Sequence, residues 1–189
     1  SKIESITGEF INNYVKNVSG SGGAMGGAIV NRETNGIIGN IEAVFINNYS
    51  INLEGVARGG AISNLSSTIG NITGDFSGNY AQSETNISEG GAVMNLRSTI
   101  NEIKGNFTNN YSLGYGRTSG GAINNNINGI IGSITGDFEG NYAESNGGAA
   151  AARGGALLNG GKITNLTANF NNNHALTNGN YAIGGAVLN

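Results

Sequence analysis

The 189-residue chain carries 34 glycines, no proline, cysteine or tryptophan, and a formal net charge of −3. These figures exclude disulfides, thiol chemistry and cysteine-ligated metals, a collagen helix and, on charge, nucleic acid as a partner. Hydrophobic residues at 38% exceed what a disordered glycine/asparagine linker carries, while no apolar run reaches the roughly 18 residues of a membrane span and the opening SKIESITGEF does not read as a signal peptide.

From the N-terminus, Ile3, Ile6 and Phe10 precede Asn13 in a string of form I-x-x-[IL]-x-x-x-F-x-x-N. A variable stretch, 14–25, leads to GGAIVN at 26–31. The same order returns with Ile38/Ile41/Phe45/Asn48 before GGAISN (59–64), and with Ile69/Ile72/Phe76/Asn79 before GGAVMN (90–95). Ile100/Ile103/Phe107/Asn110 then precede GGAINN (120–125), and Ile131/Ile134/Phe138/Asn141 precede GGALLN (154–159). The last copy is Ile163/Leu166/Phe170/Asn173 with GGAVLN (184–189). Cutting after each closing asparagine gives six units, 1–31, 32–64, 65–95, 96–125, 126–159 and 160–189, about 31 residues each.

Glycine or asparagine interrupts every apolar piece within a few residues, which is incompatible with a helical repeat. Short apolar pieces between Gly/Asn corners are strands joined by tight turns. One unit per coil, stacked at about 4.8 Å, makes an all-β parallel β-helix of six coils. In that arrangement Phe10, Phe45, Phe76, Phe107, Phe138 and Phe170 form one interior stack. Two asparagine columns become candidate amide ladders. One is Asn31, Asn64, Asn95, Asn125, Asn159 and Asn189; the other is Asn13, Asn48, Asn79, Asn110, Asn141 and Asn173. The Gly-Gly pair before each alanine supplies positive φ or close backbone approach at a corner.

The segments between FxxN and GGA (14–25, 49–58, 80–89, 111–119, 142–153, 174–183) read as the single arc that changes in length and content. Insertions in solenoids gather on one face, often the binding face. Here that arc holds Lys16, Arg58, Tyr115, Arg117, Arg153 and Tyr181 together with the low-complexity string GGAAAARGGA. Arg58, Tyr115, Arg117 and Arg153 are its candidate binding residues. His174, the sole histidine, occupies the column of Tyr14, Tyr49, Tyr80, Tyr111 and Tyr142 and reads as an aromatic substitute. Before each Phe run Glu9, Val44, Asp75, Asn106, Asp137 and Asn169, an alternation that keeps acids two coils apart. The acids are too dispersed for paired-carboxylate catalysis or a calcium column. No catalytic, cofactor-binding or metal residues are expected.

The strict alternation of GGA[ILV] with FxxN, in six of six units, resembles the chlamydial polymorphic outer membrane proteins and, more broadly, the passenger domains of Gram-negative autotransporter adhesins. The resemblance implies a right-handed β-helix displayed outside the cell as a stalk or adhesin, without enzymatic activity. The implied partner is a host-cell or glycan surface ligand. The missing cysteines suit export through a pore from an oxidising periplasm and favour the broader passenger group. With no capping element visible at either end, axial self-stacking into a fibre is one alternative. A degenerate carbohydrate-active or carbohydrate-binding β-helix is the other.

Overall fold

Each repeat begins with its longest apolar string, and that string forms the widest sheet. In the computed structural model, which describes residues 1–148 and 150–189, the chain is a parallel β-solenoid of six coils, and no helix occurs among the described residues. Four six-coil sheets run along it. The phenylalanine sheet contains Lys2–Ile11, Ile37–Ile46, Ile130–Glu139 and Lys162–Asn171; in the third and fourth coils it is interrupted into Thr68–Thr73 with Phe76–Ser77 and Thr99–Lys104 with Phe107–Thr108. The tyrosine sheet follows, from Tyr14–Asn17 to His174–Thr177. A short sheet comes next, from Ala24–Met25 to Tyr181–Ile183, and an asparagine sheet, from Ile29–Arg32 to Val187–Leu188, closes each coil.

Register is like on like. Phe10, Phe45, Phe76, Phe107, Phe138 and Phe170 pair in sequence, with ring centroids 4.7–5.0 Å apart. The four inner rings are wholly buried, each contributing about 1.5–3 kcal/mol of apolar burial. Phe10 and Phe170, in the terminal coils, are only partly covered. The isoleucine columns and the aliphatic residues Ile29, Ile62, Val93, Ile123 and Leu157 of the asparagine sheet complete this core.

Amide ladders run through both asparagine columns. In the column that follows phenylalanine, Asn13 donates Nδ2 to Asn48 Oδ1, Asn48 to Asn79, Asn79 to Asn110, Asn110 to Asn141 and Asn141 to Asn173, all at 2.9–3.0 Å. Asn48, Asn79, Asn110, Asn141 and Asn173 also donate from Nδ2 to the phenylalanine carbonyl of the preceding coil. Each of these five accepts at Oδ1 from both the side chain and the backbone N–H of the preceding ladder residue. In the four inner rungs, Asn48 to Asn141, two donors and two lone pairs are thus all used, which is what a buried amide requires.

The column that closes GGA is laddered as well, each Oδ1 after the first accepting one bond, from the Nδ2 before it. Asn31 donates Nδ2 to Asn64 Oδ1, Asn64 to Asn95, Asn95 to Asn125, Asn125 to Asn159 and Asn159 to Asn189, at 2.7–3.0 Å. Asn31, Asn64, Asn95 and Asn125 donate further to the carbonyls of Thr68, Thr99, Ile130 and Lys162, each the first residue of a phenylalanine strand. This ladder therefore ties the last sheet of one coil to the first sheet two coils further on. A further regularity lies beside the other ladder. The residue preceding each of its asparagines is Asn12, Asn47, Gly78, Asn109, Gly140 or Asn172, always with φ between 53° and 63°, the left-handed turn that Gly and Asn tolerate best.

The Gly-Gly corner uses both positive φ and close approach, one per glycine. The first is left-handed in every coil, with φ of 58–66° at Gly26, Gly59, Gly90, Gly120, Gly154 and Gly184. The second is pressed between coils: a Cβ on Gly91 would lie 1.9 Å from the Gly121 carbonyl oxygen and 2.4 Å from that of Tyr111. The corner therefore clamps onto the start of the tyrosine sheet. Beyond this clamp the tyrosine and short sheets form a thin lobe filled by small buried residues, Ser50, Ala81, Ser112 and Ala143 against Ala57, Ser88, Thr118 and Ala152.

One expectation needs correction. The arc between FxxN and GGA is mostly strand, not loop, and its length changes only at the lobe tip, between the tyrosine and short sheets. A second corner, between the asparagine strand and the next phenylalanine strand, also varies, at 33–36, 66–67, 97–98, 126–129 and 160–161. Both are places where the chain leaves the ladder and spacing is unconstrained by stacking. Within the string GGAAAARGGA, Ala149 lies outside the described residues.

Candidate functional site

Where the short and asparagine sheets meet at the Gly-Gly corner, the outer surface is concave. One wall carries the in-register column Met25, Arg58, Glu89, Ser119, Arg153 and Ile183. The other carries Val30, Ser63, Met94, Asn124, Leu158 and Leu188. Both columns point away from the main core, yet Ser63, Glu89, Met94, Ser119 and Asn124 are buried. The two walls cover each other. Alternation of buried and exposed positions therefore fails along this seam.

Glu89 is the centre of the groove. Its side chain is 1% exposed and accepts from Arg58 Nε at 2.8 Å and Arg117 Nη2 at 3.1 Å. Asn126 Nδ2 adds a third donor at 3.1 Å. A carboxylate this deep is stable only with such a set of donors. Arg58 reaches it from the coil before, in register on the short sheet, whereas Arg117 and Asn126 come from further along the chain. The groove continues past Ser119 and Arg153 to Leu158 and Leu188 around a cavity of about 290 Å³.

A larger cavity, about 620 Å³, opens on the lobe tip next to the groove, with Tyr115, Arg117, Arg153 and Tyr181 among its walls. Arg153 donates from Nη2 to the Tyr181 hydroxyl at 3.0 Å, and its guanidinium carbon lies 5.7 Å from that ring's centroid, within cation–π range. Arg117 and Arg153 border both cavities. Of the four candidate binding residues, Tyr115, Arg117 and Arg153 converge here. Arg58 does not; it is committed to Glu89. Tyr181 joins them, and Glu89 was not singled out by sequence reasoning at all. The signal for Glu89 was present: it immediately precedes GGA, in the column that holds Arg58 and Arg153.

The remaining candidates have structural occupations. Asn31, Asn64, Asn95, Asn125, Asn159 and Asn189, like Asn13, Asn48, Asn79, Asn110, Asn141 and Asn173, spend their amides on one another. His174 stacks on Tyr142 at 5.2 Å, ending a ladder of five tyrosines spaced 4.7–5.0 Å. Burial, then the neighbouring phenols of Tyr142 and Tyr80, push the Tyr111 hydroxyl well above its ordinary range. Burial likewise raises Tyr80, with Tyr49 adding to it, and Tyr142, with Glu144 adding to it. The acid–neutral alternation before phenylalanine is an outer hydrogen-bonded column. Asp75 accepts from the Asn106 N–H at 2.8 Å, Asn106 Oδ1 accepts from the Asp137 N–H at 3.1 Å, and Asp137 accepts from Asn169 Nδ2 at 2.8 Å. Among the described residues no three His, Cys, Asp or Glu side chains come together, and no helix is long and apolar enough to cross a membrane. Comparison with protein-family models, curated proteins and solved structures yields no match.

Proposed function

We propose that the chain is a rigid, non-enzymatic solenoid that works by presenting a binding surface, as a stalk or adhesive passenger at the surface of a Gram-negative bacterium. The observation that carries this reading is a division of labour. Two amide ladders and one phenylalanine stack run through all six coils without interruption, while the variable tip gathers two arginines and two tyrosines around one cavity. A uniform scaffold with a variable, cation- and aromatic-rich corner serves recognition. Glycan hydrolysis uses two carboxyl groups about 5–9.5 Å apart. Glu89 is the only acidic side chain among the described residues bordering either cavity, and two guanidiniums already engage it.

Beads coated with the chain are the direct test. Adhesion to host epithelial cells or to immobilised glycans, with no release of reducing or unsaturated sugar ends, is the expected result. Absence of adhesion to any such surface, or turnover of a glycan, would overturn it.

A further inference from the structure

The tip cavity holds charge that the fold does not neutralise. Arg58, Arg117 and Arg153 face a single acidic side chain, Glu89, across the groove and tip. Two positive charges are left over, on a chain whose net charge is −3. Such a local excess selects for an anionic group rather than for general anion attraction by the whole molecule.

Both tip guanidiniums are held in place before any ligand arrives. Arg117 is tethered through Nη2 to Glu89 and Arg153 through Nη2 to the Tyr181 hydroxyl, and the Nε of each is buried. An anchored, planar guanidinium sacrifices little rotamer freedom when it takes a carboxylate. The walls add flat apolar surface. Tyr115 and Tyr181 are the two tyrosines outside the stacked ladder, 59% and 46% exposed. Part of the rim is bare backbone, and a Cβ placed on Gly148 would meet nothing within 4 Å. A volume of about 620 Å³ lies in the range of small-ligand sites.

Resting on the adhesive reading above, we propose that this cavity binds a carboxylated sugar. The carboxylate lies against Arg117 and Arg153, and the C–H face of the pyranose ring lies against Tyr115 or Tyr181. A neutral sugar would leave the two charges unmatched. A sulfate or phosphate ester also pairs two-toothed with guanidinium, but its tetrahedral head leaves a further oxygen to be desolvated between the tyrosine walls, which a planar carboxylate does not.

Calorimetric titration of the full chain with trigalacturonate, its methyl ester, a sulfated trisaccharide and inorganic phosphate tests this. Trigalacturonate is expected to bind, with at least about tenfold weaker binding for each of the other three, the scale of one charge-assisted contact. Arg153→Gln and the space-filling Gly148→Trp should each weaken trigalacturonate binding by at least that factor, while Lys16→Gln, on the tyrosine sheet of the first coil, leaves it unchanged. Circular dichroism of each variant confirms the fold. Equal binding of the ester, the sulfated sugar or phosphate, or indifference to Gly148→Trp in a folded variant, overturns the inference. If coated beads adhere while trigalacturonate does not bind, this inference fails and the adhesive reading stands; if neither occurs, both fail.

Discussion

Replacing Asn110 by alanine removes one of the four inner rungs of the ladder that follows phenylalanine. Two donors on Asn79 lose their acceptor: the backbone N–H, 3.0 Å from Asn110 Oδ1, and one hydrogen of Nδ2, at 2.9 Å. The Phe76 carbonyl loses the bond from Asn110 Nδ2 at 2.9 Å, and Asn141 Oδ1 keeps only the one from the Asn110 backbone N–H. Asn79 and Asn110 are wholly buried, so water cannot replace what is lost. Two stranded buried donors at about 1–3 kcal/mol each give a loss of about 2–6 kcal/mol. Asn13 offers the internal control. It is exposed at the end of the same ladder, and Asn48 Oδ1 retains the Asn13 backbone N–H when the side chain is cut, so Asn13→Ala should cost only about 0.5–1.5 kcal/mol. Urea unfolding followed by circular dichroism, extrapolated linearly to water, measures both. Equal costs at the two sites, or a loss under about 1 kcal/mol at Asn110, would refute the ladder as a source of stability.

Three further outcomes follow from the same geometry. Glu89→Gln leaves Arg58 and Arg117 without their counter-charge; both are partly exposed and can turn to water, so a loss of about 1–3 kcal/mol is expected by denaturant titration, below the full cost of an orphaned buried charge. Asn124 is wholly buried between Met94 and Leu158 with neither end of its amide partnered, so Asn124→Leu should stabilise by about 1–3 kcal/mol, read as a higher denaturant midpoint. Because Tyr80, Tyr111 and Tyr142 ionise above the ordinary phenol value in the fold, their contribution is complete below about pH 10 and is lost as pH rises further, where unfolded phenols ionise first. Alkaline denaturation curves should show that loss, and Tyr111→Phe should make it shallower.

The repeat was readable because stacking repeats a chemical requirement at each rung. A buried asparagine whose four hydrogen-bonding positions are met by its neighbours above and below must recur in every coil, and so Asn48, Asn79, Asn110 and Asn141 announce themselves by spacing alone. Asn64, Asn95 and Asn125 do so because each buried Nδ2 finds both its acceptors only when the ladder repeats, while Asn159 and Asn173 carry the two columns outward to the last coils. Phenylalanine repeats through the interior stack. The site was harder to read. Tyr115, Arg117 and Arg153 could be assigned to one variable arc, but not to one cavity, since their meeting depends on how the thin lobe folds back at the Gly-Gly clamp. Arg58 lies in the same arc yet turns to Glu89, because register on the short sheet places it one coil below that carboxylate. The column position of Glu89 was legible, but its burial was not, for a related reason. Glu89 sits on an outward strand position, and only the concave junction of two sheets makes that position buried. The alternation that identifies one face of a single strand carries no information about a second sheet closing over it.

Side-chain amide hydrogen exchange, resolved by NMR on nitrogen-labelled protein, tests most directly the claim that an unbroken ladder holds the coils in register. The Nδ2 hydrogens of Asn48, Asn79, Asn110 and Asn141 are expected to exchange together, orders of magnitude more slowly than that of Asn71, which is engaged but exposed. Exchange of the four at the rate of Asn71 would contradict it.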